Sequence, residues 1–181
     1  MSHTGPASPL PYKIATLCDL RDESGRVLLL KRLKEPNFGL HSPIGGKLDM
    51  HTGESPAHAA QREIHEEAGI HVELDRLHLL GLISETAYEG RCHWLIFYFR
   101  VLGAVSVKPH TMNEGELDWF SIKELDALPL PESDREIIWP MVHKHEAAYL
   151  AGRADRPGFF SIHIDCTKDS GRGMEIFTLQ G

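Results

Sequence analysis

Residues 45–70 read GGKLDMHTGESPAHAAQREIHEEAGI, and the fold turns on this stretch. Ser55 suits a helix N-cap and Pro56 the first helical position. Gly69 stands where that helix should end. At roughly 100° per residue, Ala57, Ala60, Ile64 and Ala68 cluster within about 80° of one another and form an apolar stripe. Glu63, Glu66 and Glu67 cluster roughly 110° away, on an adjoining face. They are spaced i, i+3 and i+4, so three carboxylates crowd one patch and repel. The plain reading is a solvated acidic face. The sharper one is a site for a hard divalent cation, since Mg²⁺ prefers carboxylate oxygens and bridges to phosphates. Two neighbours favour the sharper reading. Gly45-Gly46 is a turn where backbone can approach a ligand closely. Arg62, one turn before Glu66, can orient a carboxylate by a two-pronged pair.

Outward from this helix, Tyr12–Leu20 and Arg26–Arg32 read as strands around the turn Asp22–Gly25. Residues 33–53 hold Pro36, Gly39, Pro43, Gly45, Gly46 and Gly53 and read as a long loop, which in a compact domain is usually functional. Val72–Ile83 and His93–Leu102 read as strands. In the second, Trp94, Ile96, Tyr98 and Arg100 fall on one face and Leu95, Phe97, Phe99 and Val101 on the other. Glu116–Phe120 reads as a short strand, and Ser121–Leu128 and Ser133–Leu150 as helices. Phe159–Cys166 and Met174–Leu179, around Lys168–Gly171, read as a C-terminal hairpin. Strands mixed with helices imply an α+β fold with α/β/α layering. The division expected is a flexible arm over 1–10, one domain over 11–152 and a hairpin extension over 153–181.

The 181 residues, 41% hydrophobic and 25% charged, fit one globular domain rather than a disordered or coiled-coil chain. A net charge of −7 disfavours tracking a nucleic-acid backbone. It leaves an anionic ligand needing a cation or a local basic cluster. Cys18, Cys92 and Cys166 are odd in number and form neither a disulfide framework nor a CxxC site. With no signal-peptide pattern and no run of about 20 apolar residues, the expectation is a cytoplasmic, non-membrane protein.

The segment resembles the Nudix box, G-x5-E-x7-R-E-U-x-E-E-x-G-U with U aliphatic. Glu54, Arg62, Glu63, Ile64, Glu66, Glu67, Gly69 and Ile70 match it in register. KLDMHTG between Gly46 and Glu54 is two residues longer than the pattern, which reads as a loop insertion. Leu28–Arg32 looks like the strand before the box, and Glu114-Gly115-Glu116-Leu117-Asp118-Trp119 like the acidic strand that follows it in MutT-like members. The resemblance implies the Nudix fold, an α/β/α sandwich with a mixed sheet, and hydrolysis of a pyrophosphate bond. Glu63, Glu66 and Glu67 would bind Mg²⁺ or Mn²⁺ with the Gly45 carbonyl. Gly46, Glu54, Arg62 and Gly69 would shape the box. Glu114 or Glu116 would complete the metal site or act as general base. Lys31, Arg32 and Lys47 are candidates for the outer phosphates, and Phe38, His41, Tyr88 and Trp94 for the base.

The leading expectation is a nucleoside triphosphate, oxidised forms such as 8-oxo-dGTP included, split to monophosphate and pyrophosphate. The alternatives are an ADP-ribose or nucleotide-sugar pyrophosphatase and a nucleotide sensor without turnover. Many members are dimers, which extends the expectation to a homodimer. The 12 histidines do not read as a zinc site. His58 and His65 stand about 10 Å apart on a helix, and neither His65-Glu66 nor His145-Glu146 completes HExxH. Gly171-Arg172-Gly173 is too short for a phosphate loop and reads as a turn.

Overall fold

The run Val27–Leu30 is apolar at every position and buried at every position. A strand turns successive side chains to opposite faces, so such a run needs cover on both. The computed structural model, which describes residues 9–35, 37–167 and 175–180, supplies it. The chain forms β1 (Tyr12–Asp19), β2 (Val27–Arg32), β3 (His41–Pro43), α1 (Pro56–Ala68), β4 (Leu77–Tyr88), β5 (Cys92–Val101), β6 (His110–Thr111), β7 (Gly115–Phe120), α2 (Trp139–Leu150), β8 (Phe160–Asp165) and β9 (Glu175–Gln180). Leu28 and Leu30 join one core cluster with Ile64 and Ala68 of α1. Val27 and Leu29 join a second with Trp139 and Val142 of α2. The sheets lie between these two cores, which is the α/β/α layering expected of an α+β Nudix fold. No helix among the described residues is long and apolar enough to cross a membrane.

One sheet is mixed, in the order β1-β5-β4-β8-β9. β1 runs parallel to β5 and β8 parallel to β4, and the other pairings are antiparallel. A second sheet, β3-β2-β7-β6, is antiparallel throughout. The segment after β3 ties the two together: Cys18 N–H donates to the Ile44 carbonyl and Thr16 N–H to the Gly46 carbonyl, both at 2.8 Å. β5 alternates as its sequence does, with Ile96 and Tyr98 in the α2 core and Phe99 and Val101 in the α1 core.

Several elements differ from the sequence reading, among them a 3-10 helix at Ile122–Ala127 within the helix expected over Ser121–Leu128, and β6, which was not expected. The strand expected over Val72–Ile83 runs Leu77–Tyr88. Val72 is buried, but the chain first makes a 3-10 turn at Leu74–Arg76. The expected loop 33–53 contains β3, three residues long and too short to show a period. The helix expected over Ser133–Leu150 opens as a π turn, Asp134–Ile138, before α2. Pro140 brings no N–H for the Glu136 carbonyl, and the wider turn absorbs the gap.

The C-terminal segment is a hairpin on the domain's own sheet. β8 lies between β4 and β9, with Phe160, Ile162 and Ile164 in the α2 core. Its turn at Lys168–Gly171, Gly171-Arg172-Gly173 and the arm's residues 1–8 lie outside the described residues. Below β1 and β5, Asp19 sits fully buried between Arg21 (Nη2–Oδ2 2.9 Å) and Arg100 (Nη1–Oδ1 2.9 Å). Burial alone would raise its pKa, but the two guanidiniums hold it below the usual range. Arg21 reaches Glu146 of α2 at 3.5 Å and lies over the Trp139 ring.

β8 is therefore core, not appendage. Phe160→Ala should cost about 3–5 kcal/mol in urea unfolding. Leu179→Ser, at a 69% exposed position on β9, should change stability by less than about 0.5 kcal/mol. Equal effects would contradict the placement of β8.

Candidate active site

Local chemistry sets α1 at the cleft. Ser55 Oγ accepts from His58 N–H, Pro56 takes the first turn, and Gly69, at φ 69° where an L side chain is strained, closes the helix by donating to the His65 carbonyl. The loop carrying the two extra residues closes on itself. Asp49 N–H donates to Glu54 Oε2 at 2.9 Å, and Glu54 N–H to the Asp49 carbonyl at 3.1 Å. The insertion thus leaves Glu54 in register with the helix.

Arg62 organises the glutamates. Its Nε and Nη2 grip Glu54 at 2.9 and 3.0 Å, and Nη2 also bonds the Lys47 carbonyl at 3.1 Å. Its Nη1 donates to Glu63 Oε1 at 2.6 Å and Glu66 Oε2 at 3.1 Å. The hydrogen bonds to Arg62 hold the Glu54 carboxyl below the usual range. The three box glutamates are not equivalent. Glu66 is the exposed one, with 55% of its side chain open. Glu63 is enclosed, and burial raises its pKa despite Arg62. Glu67, buried on the helix's apolar flank, accepts the Gly45 N–H at 2.9 Å. Burial pushes Glu67 up to about 8, with the charges of Glu63 and Glu114 adding to the rise.

The glycines hold this arrangement by what they lack. A Cβ on Gly45, whose φ is 149°, would collide with the Thr16 carbonyl. A Cβ on Gly46 would collide with Glu63 Oε1. The cleft above them has a volume of about 490 Å³. Arg32, Lys47, Gly45, Gly46, Glu63, Glu66 and Glu114 line it. Tyr88, Trp94, Asn37, Glu85, Ser133 and Asp134 line it as well. Tyr88 donates to Asn37 Oδ1 at 2.7 Å.

As the side chains stand, no three carboxylate, histidine or cysteine groups among the described residues converge closely enough to hold an ion. Arg62 takes one oxygen each of Glu63 and Glu66. The donor chemistry nonetheless fits a hard divalent cation. Glu67 Oε1 is buried without a hydrogen-bond partner. The carbonyls flanking Gly45, those of Ile44 and Gly46, are engaged by β1, whereas that of Gly45 lies outside this pairing. An oxygen-only donor set suits Mg²⁺ or Mn²⁺ rather than a softer metal.

The cleft gathers Arg32, Lys47, Gly45, Gly46, Glu63, Glu66, Glu114, Tyr88 and Trp94, with Glu67 braced beneath. Other expected residues lie elsewhere. Lys31, His41 and Glu116 line a separate groove of about 350 Å³. Lys31 there faces Glu116 at 3.8 Å. Alternation along β2 separates Lys31 from Arg32, and Glu116 projects from β7 opposite Lys31, while Glu114 precedes the strand and lies beside Arg32–Leu33. Phe38 is 63% exposed and does not line the cleft. The sequence reading missed Asn37, Glu85, Ser133 and Asp134. Glu85 had a signal, being the one Asp, Glu, Lys or Arg in the strand Leu77–Tyr88. Asp134 had none, since only the tertiary fold buries it.

The chain is similar to known proteins. A family model described as the NUDIX domain matches residues 11–139. An 8-oxo-dGTP diphosphatase of Haemophilus influenzae is 29% identical over 127 residues, covering 69% of this chain and 88% of that protein. An RNA pyrophosphohydrolase of Sphingopyxis alaskensis is 30% identical over 140 residues, covering 67% and 85% respectively. The crystal structure of a mutator MutT protein from Bacillus halodurans matches with a TM-score of 0.65 at 26% identity, over 91% of this chain and 97% of that one.

The Gly46 cradle yields a direct test. Gly46→Ala should displace Glu63 and weaken Mn²⁺ binding, read by calorimetric titration, about tenfold or more. Unchanged affinity would remove Glu63 from the donor set.

Proposed function

The chain belongs to the Nudix family and is a pyrophosphohydrolase, and on that premise we propose that it cleaves a nucleoside triphosphate to monophosphate and pyrophosphate. Oxidised guanine nucleotides lead the substrate class, supported by the likeness to an 8-oxo-dGTP diphosphatase. The observation that carries the reading is the Arg62 guanidinium. It holds Glu54, Glu63 and Glu66 in one array beside the Gly45–Gly46 turn, at a cleft that also receives Arg32 and Lys47.

Glu63, Glu66 and Glu67, with the Gly45 carbonyl, would hold Mg²⁺ (Mn²⁺ suits the same oxygens), which when bound polarises a phosphoryl oxygen and neutralises the leaving diphosphate. The protein's own groups do the rest. Arg32 and Lys47 receive the outer phosphate oxygens. The Gly45 N–H fixes Glu67 so that one carboxylate oxygen stays directed. Glu114 lines the cleft and its charge acts on both Glu63 and Glu67, so its carboxylate is placed to take the proton of the attacking water. Tyr88 and Trp94 offer aromatic surface to the base.

Product analysis tests this over a panel of canonical and oxidised nucleoside triphosphates, ADP-ribose, nucleotide sugars and 5′-triphosphate RNA. Monophosphate plus pyrophosphate from a triphosphate is the expected result. Turnover of ADP-ribose or a sugar nucleotide alone would overturn the substrate class. Bound nucleotide without product would favour a sensor. Glu66→Gln and Glu114→Gln should each lower turnover about 100-fold or more. Glu116→Gln, in the separate groove, should stay within about threefold. A mild Glu114→Gln with a severe Glu116→Gln would reverse the assignment of the base.

A further inference from the structure

A β-sheet edge presents a row of unanswered N–H and C=O groups. Proteins guard such edges by covering them, keeping them short or placing lysine or proline on them. The two sheets have four edges, formed by β1, β9, β3 and β6. Three of them are guarded. The segment after β3 covers β1, where Thr16 and Cys18 N–H donate to the Gly46 and Ile44 carbonyls and Leu48 N–H donates to the Ile14 carbonyl. β3 has three residues, one of them Pro43, and its His41 N–H donates to the Pro129 carbonyl. β6 has only two residues.

β9 is the exception. It runs for six residues, Glu175–Gln180, with no lysine and no proline. β8 lies on one side of it, and no described residue pairs with the other side. Phe177 is 49% exposed and Leu179 69% exposed. The single charge of the strand, Glu175, stands at its turn end, opposite Asp165. The edge from Ile176 to Gln180 is therefore uncharged. One bulge interrupts the pairing with β8, where Leu179 and Gln180 both stand against Ser161. It leaves Ile176–Thr178 regular and keeps Leu179 on the face of Phe177, which pairs with His163.

We propose that β9 pairs antiparallel with β9 of a second copy of this chain across a two-fold axis, joining the two five-stranded sheets into one. The strand is complementary to itself. With Thr178 opposite the partner's Thr178, Phe177 of each copy stands opposite the partner's Leu179, so both exposed apolar side chains are covered twice over. Charge favours the same occupant. The chain carries a net charge of −7 and repels a copy of itself, so a self-contact must be uncharged where the strands meet. In this register the two Glu175 residues lie about 20 Å apart, at opposite ends of the contact. A cationic partner would find no charge to answer along Ile176–Gln180. Pairing stops at two copies, because each uses up the other's open edge. Six residues a side make a small contact, so association is weak, with a Kd of about 10–100 µM. The pairing is independent of the substrate proposed above.

Sedimentation velocity over about 1–300 µM protein tests this. The full chain should pass from monomer to dimer across that range. Leu179→Lys, which sets an edge lysine at an exposed position, should weaken dimerisation about tenfold or more and leave the urea midpoint of dilute protein unchanged. Cross-linking reads the register. Thr178→Cys should give a disulfide-linked dimer under mild oxidation, since directly opposed residues have Cα atoms about 4.5–5.5 Å apart. Glu175→Cys, about 20 Å from its mate, should not. Wild-type protein, in which Cys18 and Cys92 are buried and Cys166 is partly so, sets the background. A monomer at every concentration overturns the proposal, as does a dimer that Leu179→Lys leaves intact. Growth beyond two copies overturns the two-fold closure. If Leu179→Lys lowers the urea midpoint of dilute protein, the cysteine variants decide. Cross-linking at 178 and not at 175 upholds the pairing, and cross-linking at both positions or at neither overturns it.

Discussion

One guanidinium carries the site. Arg62 makes five hydrogen bonds, two to Glu54, one each to Glu63 and Glu66, and one to the Lys47 carbonyl. A lysine could not do this, since only a planar fork offers donors in several fixed directions at once. The consequence reaches beyond charge. Glu63 and Glu66 sit one turn apart and would repel, while Glu54 lies before the helix and Lys47 in the glycine turn. Arg62 joins loop, helix and turn into a single unit, so the backbone at Gly45 meets Glu67 at a fixed distance. The rest of the fold positions this unit. β1 holds the turn from one side through Thr16 and Cys18, and the α1 core holds the helix from the other.

The two ends of the cleft solve the problem of buried charge in opposite ways. At the box, a guanidinium and backbone N–H groups answer the carboxylates. Around Glu85 and Asp134 no lysine or arginine charge does so among the described residues, and burial raises both carboxyls. The contrast extends to the structural core, where Asp19 is fully buried and stays ionised between Arg21 and Arg100. Burial alone therefore does not decide protonation in this protein. Two arginines hold Asp19 below the usual range, whereas Glu63 is raised despite the single bond from Arg62.

How much of this was legible in the sequence follows from the range of each interaction. α1 was readable to its ends because its cap, its proline and its closing glycine all act within a few residues. The box glutamates were readable because helical spacing alone places them together. β2 was readable as a strand because its apolar run is too short for a helix and follows the turn residues Asp22–Gly25. The division among the three glutamates was not readable, since it depends on where Gly45 and Gly46 dock. Which of Glu114 and Glu116 lines the cleft could be seen only from the pairing of β7 with β2. Asp134 was invisible because its burial arises from contacts made by strands far away in the chain, and β3 because three residues carry no period. The direct match to the family pattern marked out the box. It said nothing about the second groove that draws Lys31, His41 and Glu116 aside.

β8 gives the molecule an order of assembly. β4, which carries Glu85 and Tyr88, has β5 as its neighbour on one side and β8 on the other, and its partner across Ser84 is His163, 79 positions downstream. Closing so long a loop carries an entropic cost that only the finished pairing repays. On the ribosome, the helix and glycine turn of the box emerge early and can draw together through local contacts. The β4 side of the cleft must wait until residues near 165 have cleared the exit tunnel. The α1 side of the cleft is thus within reach of a nascent chain, whereas the β4 side is completed only after nearly all of the described chain has been synthesised.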